Sequence, residues 1–128
     1  MSNDFERLIN ILRYTVVEMV RSDGTDLSAR QMAVFLTCYL NEGSQTVRGL
    51  SAILNVSKPA ITRALDRLGE LDLIRRKFDP MDRRSVLVQR TLKGNAYLSE
   101  IQNIMVEATK EEVASEYEKT DFQKTAAA

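Results

Sequence analysis

A tight break between two short amphipathic segments is the feature that most constrains the fold of this chain. The apolar residues of 47–54 fit one short helix, and a second buried face begins at Ile61 and recurs at i, i+4 and i+7. Between them, Asn55 tolerates the left-handed conformation that a sharp turn demands, and Ser57 and Pro59 suit the first turn of a new helix. The pattern predicts a helix-turn-helix motif.

The second helix of this pair has a small and basic outer face, which favours binding to duplex DNA. The major groove is about 12 Å wide, close to the diameter of a helix. Arg63 is expected to pair with guanine, Ala60 to pack on a thymine methyl group, and the helix start at Ser57 to meet a phosphate. The residues predicted to contact DNA from this helix are Ser57, Lys58, Pro59, Ala60, Thr62, Arg63 and Arg67.

Two of these arginines have an alternative in which they stay on a solvated surface. Arg63 could instead form an i,i+3 pair along the helix. Arg67 lies one turn further from the helix start, where it is expected to contact the DNA backbone or to pair with Asp66 or Glu70.

A β-hairpin with a charged tip is predicted after the helix pair. Residues 73–78 and 85–91 contain the β-branched and aromatic residues typical of strands. Pro80 cannot donate to a sheet, so residues 79–84 are predicted to form the loop between the strands.

The tip of this hairpin carries a second group of predicted DNA contacts. Arg83 and Arg84 could reach a minor groove, which attracts arginine where it is narrow. Asp82 is expected to hold the loop and to orient an arginine by a charge-assisted hydrogen bond. The strand before the tip carries three cations that either contact DNA or protect a solvated strand edge: Arg75, Arg76 and Lys77.

The remaining segments are predicted to be helices. Apolar residues recur with a helical period over 4–22 and cover more than one face, so this helix is expected to serve the core and a subunit interface together. The alternative is a helix that lies between two others of its own chain. Ser28 can cap a further helix, and Thr91 can cap the last one over 92–118.

The predicted fold class is therefore mainly α with a small β-hairpin (α+β). A winged helix-turn-helix core over 28–91 is expected between N- and C-terminal dimerisation helices, as a single domain over 1–128. Residues 119–128 are expected to form a tail, and its end from Ala126 to Ala128 resembles a vector-derived addition.

The charge of the chain is zero in total but not in its distribution. The 18 basic and 18 acidic residues cancel. Residues 57–93 nevertheless carry ten basic and five acidic side chains, a net charge of +5, whereas residues 94–128 carry three basic and seven acidic ones, a net charge of −4. Neutrality therefore does not argue against an anionic partner for the middle of the chain.

The residue types exclude several kinds of site. One cysteine and no histidine leave no zinc site of paired Cys and His and no Ser-His-Asp or Cys-His catalysis, so neither a cofactor nor an enzyme is predicted. Cys38 lies in an apolar run and is expected to be buried and inert. The chain has no targeting signal and no apolar stretch of about 18 residues, so a cytoplasmic protein without membrane contact is expected.

The stretch from Leu50 to Gly94 resembles the winged helix-turn-helix of the multiple antibiotic resistance regulator (MarR) family. Its "SKPAITRALDRL" run is similar to that family's recognition helix. Its "DPMDRRSVLV" run is similar to the family's wing, including the Asp-x-Arg signature at Asp82 and Arg84.

This resemblance implies a homodimer, joined through the first and last helices, that binds a pseudo-palindromic operator and is often regulated by a small-molecule effector. The chain departs from the family pattern at Arg90, where an apolar residue is usual, and in lacking an evident further C-terminal helix. The oxidation-sensing branch of the family uses a cysteine in its first helix, so Cys38 is not expected to sense peroxide.

Two functions are compatible with these patterns. The leading hypothesis is a dimeric, sequence-specific DNA-binding transcriptional repressor, associated with the nucleoid of a bacterium or archaeon, with its recognition helix in the major groove and its wing in the minor groove. The alternative is a winged-helix protein–protein interaction module that binds no DNA. Such a module would present a neutral recognition face, whereas this face is basic.

Overall fold

The computed structural model describes the backbone of residues 2–22 and 24–127, and the side chains of 4–22, 24–82 and 84–115. The predictions for the side chain of Arg83 and for the side chains of the tail over 119–128 lie outside these residues. The elements in chain order are α1 (Ser2–Arg21), α2 (Ala29–Leu40), β1 (Gln45–Thr46), α3 (Val47–Leu54), α4 (Lys58–Glu70), β2 (Ile74–Asp79), β3 (Asp82–Arg90) and α5 (Leu92–Ala127).

The predicted fold class is confirmed, with adjustments at the edges of the elements. The three strands form one antiparallel sheet in the order β1-β3-β2. The sequence pattern missed β1, because a two-residue strand is too short to show alternation. Only Pro80 and Met81 separate β2 from β3, so the predicted loop over 79–84 is wrong in its length, and α5 continues past its predicted end at residue 118.

The chain divides into two compact units. We call Thr25–Ser99 the winged unit, and Met1–Gly24 together with Glu100–Ala128 the helical unit. Helix α5 begins in the winged unit and its later turns belong to the helical unit. Among the described residues, no helix is both long enough and apolar enough to cross a membrane.

The core of the winged unit is built from the apolar faces of α2, α3 and α4. Burial of each such large side chain stabilises the fold by about 1.5–3 kcal/mol. Phe35 is fully buried, and its ring lies 4.4 Å from that of Tyr39 and 5.2 Å from that of Tyr97, measured between centroids. The other fully buried large side chains are Val34, Leu50, Ile61, Leu65, Leu68, Leu73 and Ile74.

The helix boundaries follow from local capping, as the sequence predicted. The hydroxyl of Ser28 accepts from Gln31 N at 3.1 Å, and the Gln31 side chain accepts from Ser28 N at 2.9 Å, which completes a capping box. Asn55 ends α3 in the left-handed region at φ 53°. Ser57 and Thr91 cap α4 and α5 with their hydroxyls.

A buried hydrogen-bonded junction joins α2 to the start of α5. The Tyr39 hydroxyl donates to the carbonyl of Leu73 at 2.5 Å and accepts from the amide of Thr91 at 3.0 Å. The Thr91 hydroxyl donates to the carbonyl of Asp72 at 2.7 Å. Gly94 is buried beside this junction, and a Cβ there would overlap the Tyr39 hydroxyl, so the close approach requires glycine.

Arg90, the residue that departs from the family pattern, completes the C-terminal end of α2. Its Nε donates to the carbonyl of Cys38 at 3.0 Å, and its Nη2 donates to the carbonyl of Asn41 at 2.8 Å. Its guanidinium also lies 5.7 Å from the centre of the Tyr39 ring. A cation here donates hydrogen bonds to carbonyls that lack a partner within the helix, and it interacts favourably with the helix dipole.

Cys38 is buried, as predicted, with 4% of its surface exposed. Burial raises the pKa of its thiol to about 11, although the nearby Arg90 acts in the opposite direction. The thiol therefore stays protonated and unreactive near neutral pH.

The helical unit packs one face of α1 and leaves a second, apolar face exposed. Thr15 is buried, and Asn10 Nδ2 donates to Glu112 Oε1 at 3.4 Å. The pKa of Tyr14 is raised by partial burial and by neighbouring carboxylates, among them Glu18 and Glu111. Large apolar side chains on the exposed face, here called the α1 stripe, are Phe5, Leu8, Ile9, Leu12, Val16, Val17 and Val20.

Candidate nucleic-acid interface

The N-terminal half of α4 presents an exposed polar face that its own capping fixes in place. The Ser57 hydroxyl accepts from Ala60 N at 3.3 Å, and Pro59 occupies the first turn, where no amide partner is lost. Four of the predicted contact residues in this helix half are exposed: Lys58, Pro59, Thr62 and Arg63. They are held on one rigid helix, because the opposite face is fully buried from Ile61 to Leu68.

Ala60 is nearly buried, so it offers little surface for the predicted contact with a thymine methyl group, which stays a prediction. Ala60 is only 6% exposed, and it lies on the buried side of α4 with Ile61 and Ala64. The sequence pattern placed Ala60 at the N-terminal end of the helix, where base edges are reached, without assigning it to the outer face. Its small size serves the close packing of α4 within the unit.

The cations of α4 differ in whether an acid neutralises them. Arg67 Nη1 lies 3.3 Å from Glu70 Oε2, which is one of the alternatives that the sequence left open. Within the described part of the chain, the side chains of Lys58 and Arg63 have no hydrogen bond or ion pair. The unneutralised positive charge of α4 is therefore concentrated in its N-terminal half, where a helix in the major groove reaches base edges.

Two of the three cations on β2 are also paired with acids. Arg76 Nη2 lies 2.6 Å from Asp66 Oδ1, and Arg75 Nε lies 3.5 Å from Asp72 Oδ1. Strand β2 is at the edge of the sheet, where such charges discourage pairing with another chain. The structure thus favours the strand-edge alternative for Arg75 and Arg76 over direct contact with DNA.

The wing, which we define as β2, β3 and the turn between them, contains an irregularity that shapes its tip. Phe78 pairs with Val86, but Asp79 pairs with Asp82, so residues 83–85 of β3 have no partner on β2. Bulges of this kind often re-aim side chains. The irregularity here places the exposed Arg84 in a segment of β3 that is not paired with β2.

Asp82 accepts two hydrogen bonds within this irregular segment. Its Oδ1 accepts from the backbone amide of Arg84 at 3.0 Å, and its Oδ2 accepts from the Ser85 hydroxyl at 3.4 Å. Asp79 acts similarly on the preceding turn, where its Oδ1 accepts from Met81 N at 2.9 Å. Asp82 therefore holds the backbone from which the Arg84 side chain projects, rather than the guanidinium itself.

Two features near this surface were missed by sequence reasoning. Met81 is 92% exposed at the tip of the wing. Arg30, in the first turn of α2, lines the same open groove as Arg63 of α4. No local pattern links residues so far apart in sequence, and the only available signal was the position of Arg30 just after the cap at Ser28.

Two helices joined by a left-handed turn and followed by an antiparallel wing define a winged helix-turn-helix protein. The model of the MarR family matches residues 25–85 of the chain. This match agrees with the resemblance stated from the sequence, and the matched segment is similar to the MarR family.

Several solved structures share this fold over most of their length. The crystal structure of MarR is similar, with 28% sequence identity, a TM-score of 0.63, and coverage of 94% of this chain and 89% of that one. A transcriptional regulator from Thermotoga maritima is 24% identical, with a TM-score of 0.59 and coverage of 97% and 92%. A variant of MepR from S. aureus is 17% identical, with a TM-score of 0.68 and coverage of 99% and 96%. No curated protein matches the chain at a significant level.

Proposed function

We propose that this chain is a homodimeric, sequence-specific DNA-binding regulator that represses transcription by occupying a pseudo-palindromic operator. The MarR-family fold supports a DNA-binding regulator rather than an enzyme. The observation that carries the proposal is the distribution of unpaired cations. Among the described residues Lys58 and Arg63 have no ion pair on the exposed face of α4, whereas Arg67 further along the helix and two of the three cations on β2, Arg75 and Arg76, are paired with acids.

In this proposal α4 is the recognition helix and enters the major groove by its N-terminal half. Arg63 donates two hydrogen bonds to O6 and N7 of a guanine, and Thr62 and Lys58 reach neighbouring base edges or phosphates. The helix start at Ser57 and Pro59 lies against the sugar–phosphate backbone, where a helix N-terminus favours an anion. Arg67, already paired with Glu70, contributes less.

The wing contacts the adjacent minor groove through its irregular tip. Arg84, with Arg83 beside it in sequence, is proposed to enter or border that groove, which attracts arginine where it is narrow. Asp82 acts indirectly, because it holds the backbone at Arg84 and Ser85.

The α1 stripe supports the proposal of a homodimer. Its apolar side chains recur along one helix face, and Phe5, Leu8 and Ile9 are 75%, 64% and 60% exposed. Exposed apolar surface of this extent marks an interaction site. A second copy of α1, together with α5, is the proposed occupant. The dimer would place two recognition helices roughly 34 Å apart, one turn of DNA.

The charge distribution suits a protein that must discriminate between sequences. The net charge of +5 over residues 57–93 attracts DNA, and the net charge of −4 over residues 94–128 restrains non-specific binding. A small-molecule effector and association with the nucleoid remain predictions.

Selection of bound duplexes from a random DNA pool tests this proposal. We expect a palindromic consensus whose half-sites are about 10 base pairs apart, since symmetric dimers read symmetric sites. Affinity for the consensus should also fall steeply with salt, because phosphate contacts release counterions. Weak binding that does not depend on salt, with no consensus, would instead support the protein-interaction alternative.

A further inference from the structure

An open groove on the winged unit lies between the first turn of α2 and the exposed face of α4. Arg30 of α2 and Arg63 of α4 both line it. Ala60 and Ala64 also line it, and both are almost completely buried, so the groove has a shallow floor of small side chains. Two arginines from different elements thus line one solvent-accessible depression.

Neither of these arginines is neutralised by the part of the protein that the structure describes. Arg30 and Arg63 have no hydrogen bond or ion pair among the described residues. The natural i,i+3 partner of Arg63 would be Asp66, but that carboxylate lies 2.6 Å from Arg76. Glu70 is engaged by Arg67 in the same way. Two unpaired like charges beside one groove favour an anionic occupant from outside the chain.

The dimensions of the DNA major groove indicate that this anion is a backbone phosphate. A helix of about 10–12 Å diameter nearly fills a groove of about 12 Å, so the phosphates of the groove edge lie beside the flanks of an inserted helix. A cation on a neighbouring element, next to the base-contacting face of that helix, then meets a phosphate rather than a base. Arg30 occupies such a position relative to Arg63, because both residues line the same groove on the protein surface.

We propose that Arg30 binds a DNA phosphate at the edge of the major groove and thereby fixes the register of α4, while Arg63 binds base edges. This inference rests on the proposed function. A guanidinium suits the role because its fork matches two phosphate oxygens. The small side chains of Ala60 and Ala64 leave room for the sugar–phosphate backbone beside it. Arg30 is a positioning residue that carries no sequence information of its own.

The test compares wild-type protein with Arg30→Ala, Arg30→Lys and Arg75→Ala on two duplexes of equal length, the selected consensus and a scrambled sequence. We expect Arg30→Ala to weaken binding to both duplexes by a similar factor of roughly ten, and to lower the slope of log affinity against log salt by about 0.9. Arg30→Lys should keep most of the salt slope, because it keeps the charge. Arg75→Ala removes one exposed cation that is already paired with Asp72 and should have a smaller effect.

Neutral methylphosphonate groups, substituted one at a time in the consensus duplex, identify the contacted phosphate. One such substitution should weaken wild-type binding and have no further effect on Arg30→Ala, whereas the effects of the others should add to that of the mutation. Additive effects at every phosphate would overturn the assignment.

The remaining outcomes separate this inference from the proposed function. If the wild-type protein binds neither duplex at low salt, the proposed function fails. If the wild type binds and Arg30→Ala binds equally well, only the assignment of Arg30 fails. A loss confined to the consensus would make Arg30 a base contact, and an equal loss in Arg75→Ala would make net charge the cause; either result overturns the inference. Circular dichroism checks that each variant is folded.

Discussion

The guanidinium of Arg76 on strand β2 lies 2.6 Å from the carboxylate of Asp66 on helix α4. This ion pair joins the wing to the helix. It also occupies the acid that would otherwise neutralise Arg63, one turn earlier on the same helix. The pair therefore links β2 to α4 and leaves Arg63 without this acidic partner.

We expect a double-mutant cycle on this pair to show coupling. Both side chains are partly exposed, 37% for Arg76 and 50% for Asp66, so the coupling free energy should be modest, about 0.5–1 kcal/mol. Urea denaturation of Asp66→Ala, Arg76→Ala and the double variant measures it. If the two single effects simply add, the contact does not contribute to stability.

Arg63→Ala is expected to lose about 1–3 kcal/mol of discrimination at one base step of the operator. The matched control is Arg67→Ala, which removes a cation that already has an acidic partner on the same helix. That variant should change affinity little and about equally for all sequences. Binding measurements on a set of single-base operator variants distinguish the two. An equal loss on every sequence for Arg63→Ala would assign Arg63 to a phosphate.

Gly94→Ala is expected to destabilise the protein by about 2 kcal/mol or more. The added Cβ would overlap the Tyr39 hydroxyl and the carbonyl of Leu73, so the buried junction must shift. Gly69→Ala is the control, because a Cβ there would first meet Ile74 Cδ1 at 4.0 Å, an ordinary contact. Gly69 is the last residue but one of α4, so alanine there should be tolerated, with a gain of at most about 0.5 kcal/mol. Thermal unfolding of both variants checks the contrast, and equal melting temperatures would refute it.

Leu12→Glu is expected to shift the protein from dimer to monomer. Leu12 is 55% exposed in the middle of the α1 stripe, and a carboxylate buried in an apolar interface is unfavourable. Leu12→Met keeps the apolar area and should remain dimeric. Light scattering after size-exclusion chromatography gives the mass of each variant. A glutamate variant with the wild-type mass would remove the α1 stripe from the interface.

Stability is expected to fall between about pH 9 and pH 11 because of Cys38. Burial raises the pKa of the folded thiol from its ordinary 9.0 to about 11, so the unfolded chain loses its thiol proton first as the pH rises. The contribution is fully present below pH 9 and amounts to about 2 kcal/mol over this interval. Cys38→Ala should be less sensitive to pH across the same range, as urea midpoints at each pH will show. Parallel pH profiles for the two proteins would contradict the assignment.

Much of the winged unit could be predicted because its signals are local. Asn55 in the left-handed region, Ser57 at the start of α4 and the capping box at Ser28 each depend on residues within a few positions. Such interactions are encoded in short stretches of sequence, so the helix-turn-helix, its boundaries and the basic character of α4 follow from the chain itself.

Other features depended on contacts between distant residues. The role of Arg90 required α2 to end where its guanidinium could reach the carbonyls of Cys38 and Asn41. Ala60 is buried because α4 packs closely within the winged unit. A helical period alone indicates only approximately which residues face the core.

The sequence by itself determined that two capped helices meet at a sharp turn, that a wing follows, and that positive charge is concentrated between residues 57 and 93. Only the tertiary structure decided which of those charges are free. Asp66 lies three residues after Arg63 and next to Arg67 in the sequence, yet it pairs with Arg76 from β2. Packing also brought Arg30 beside Arg63 and left the α1 stripe uncovered. Ion pairs and exposed faces are set by which elements become neighbours, and that is a property of the folded chain rather than of any local pattern.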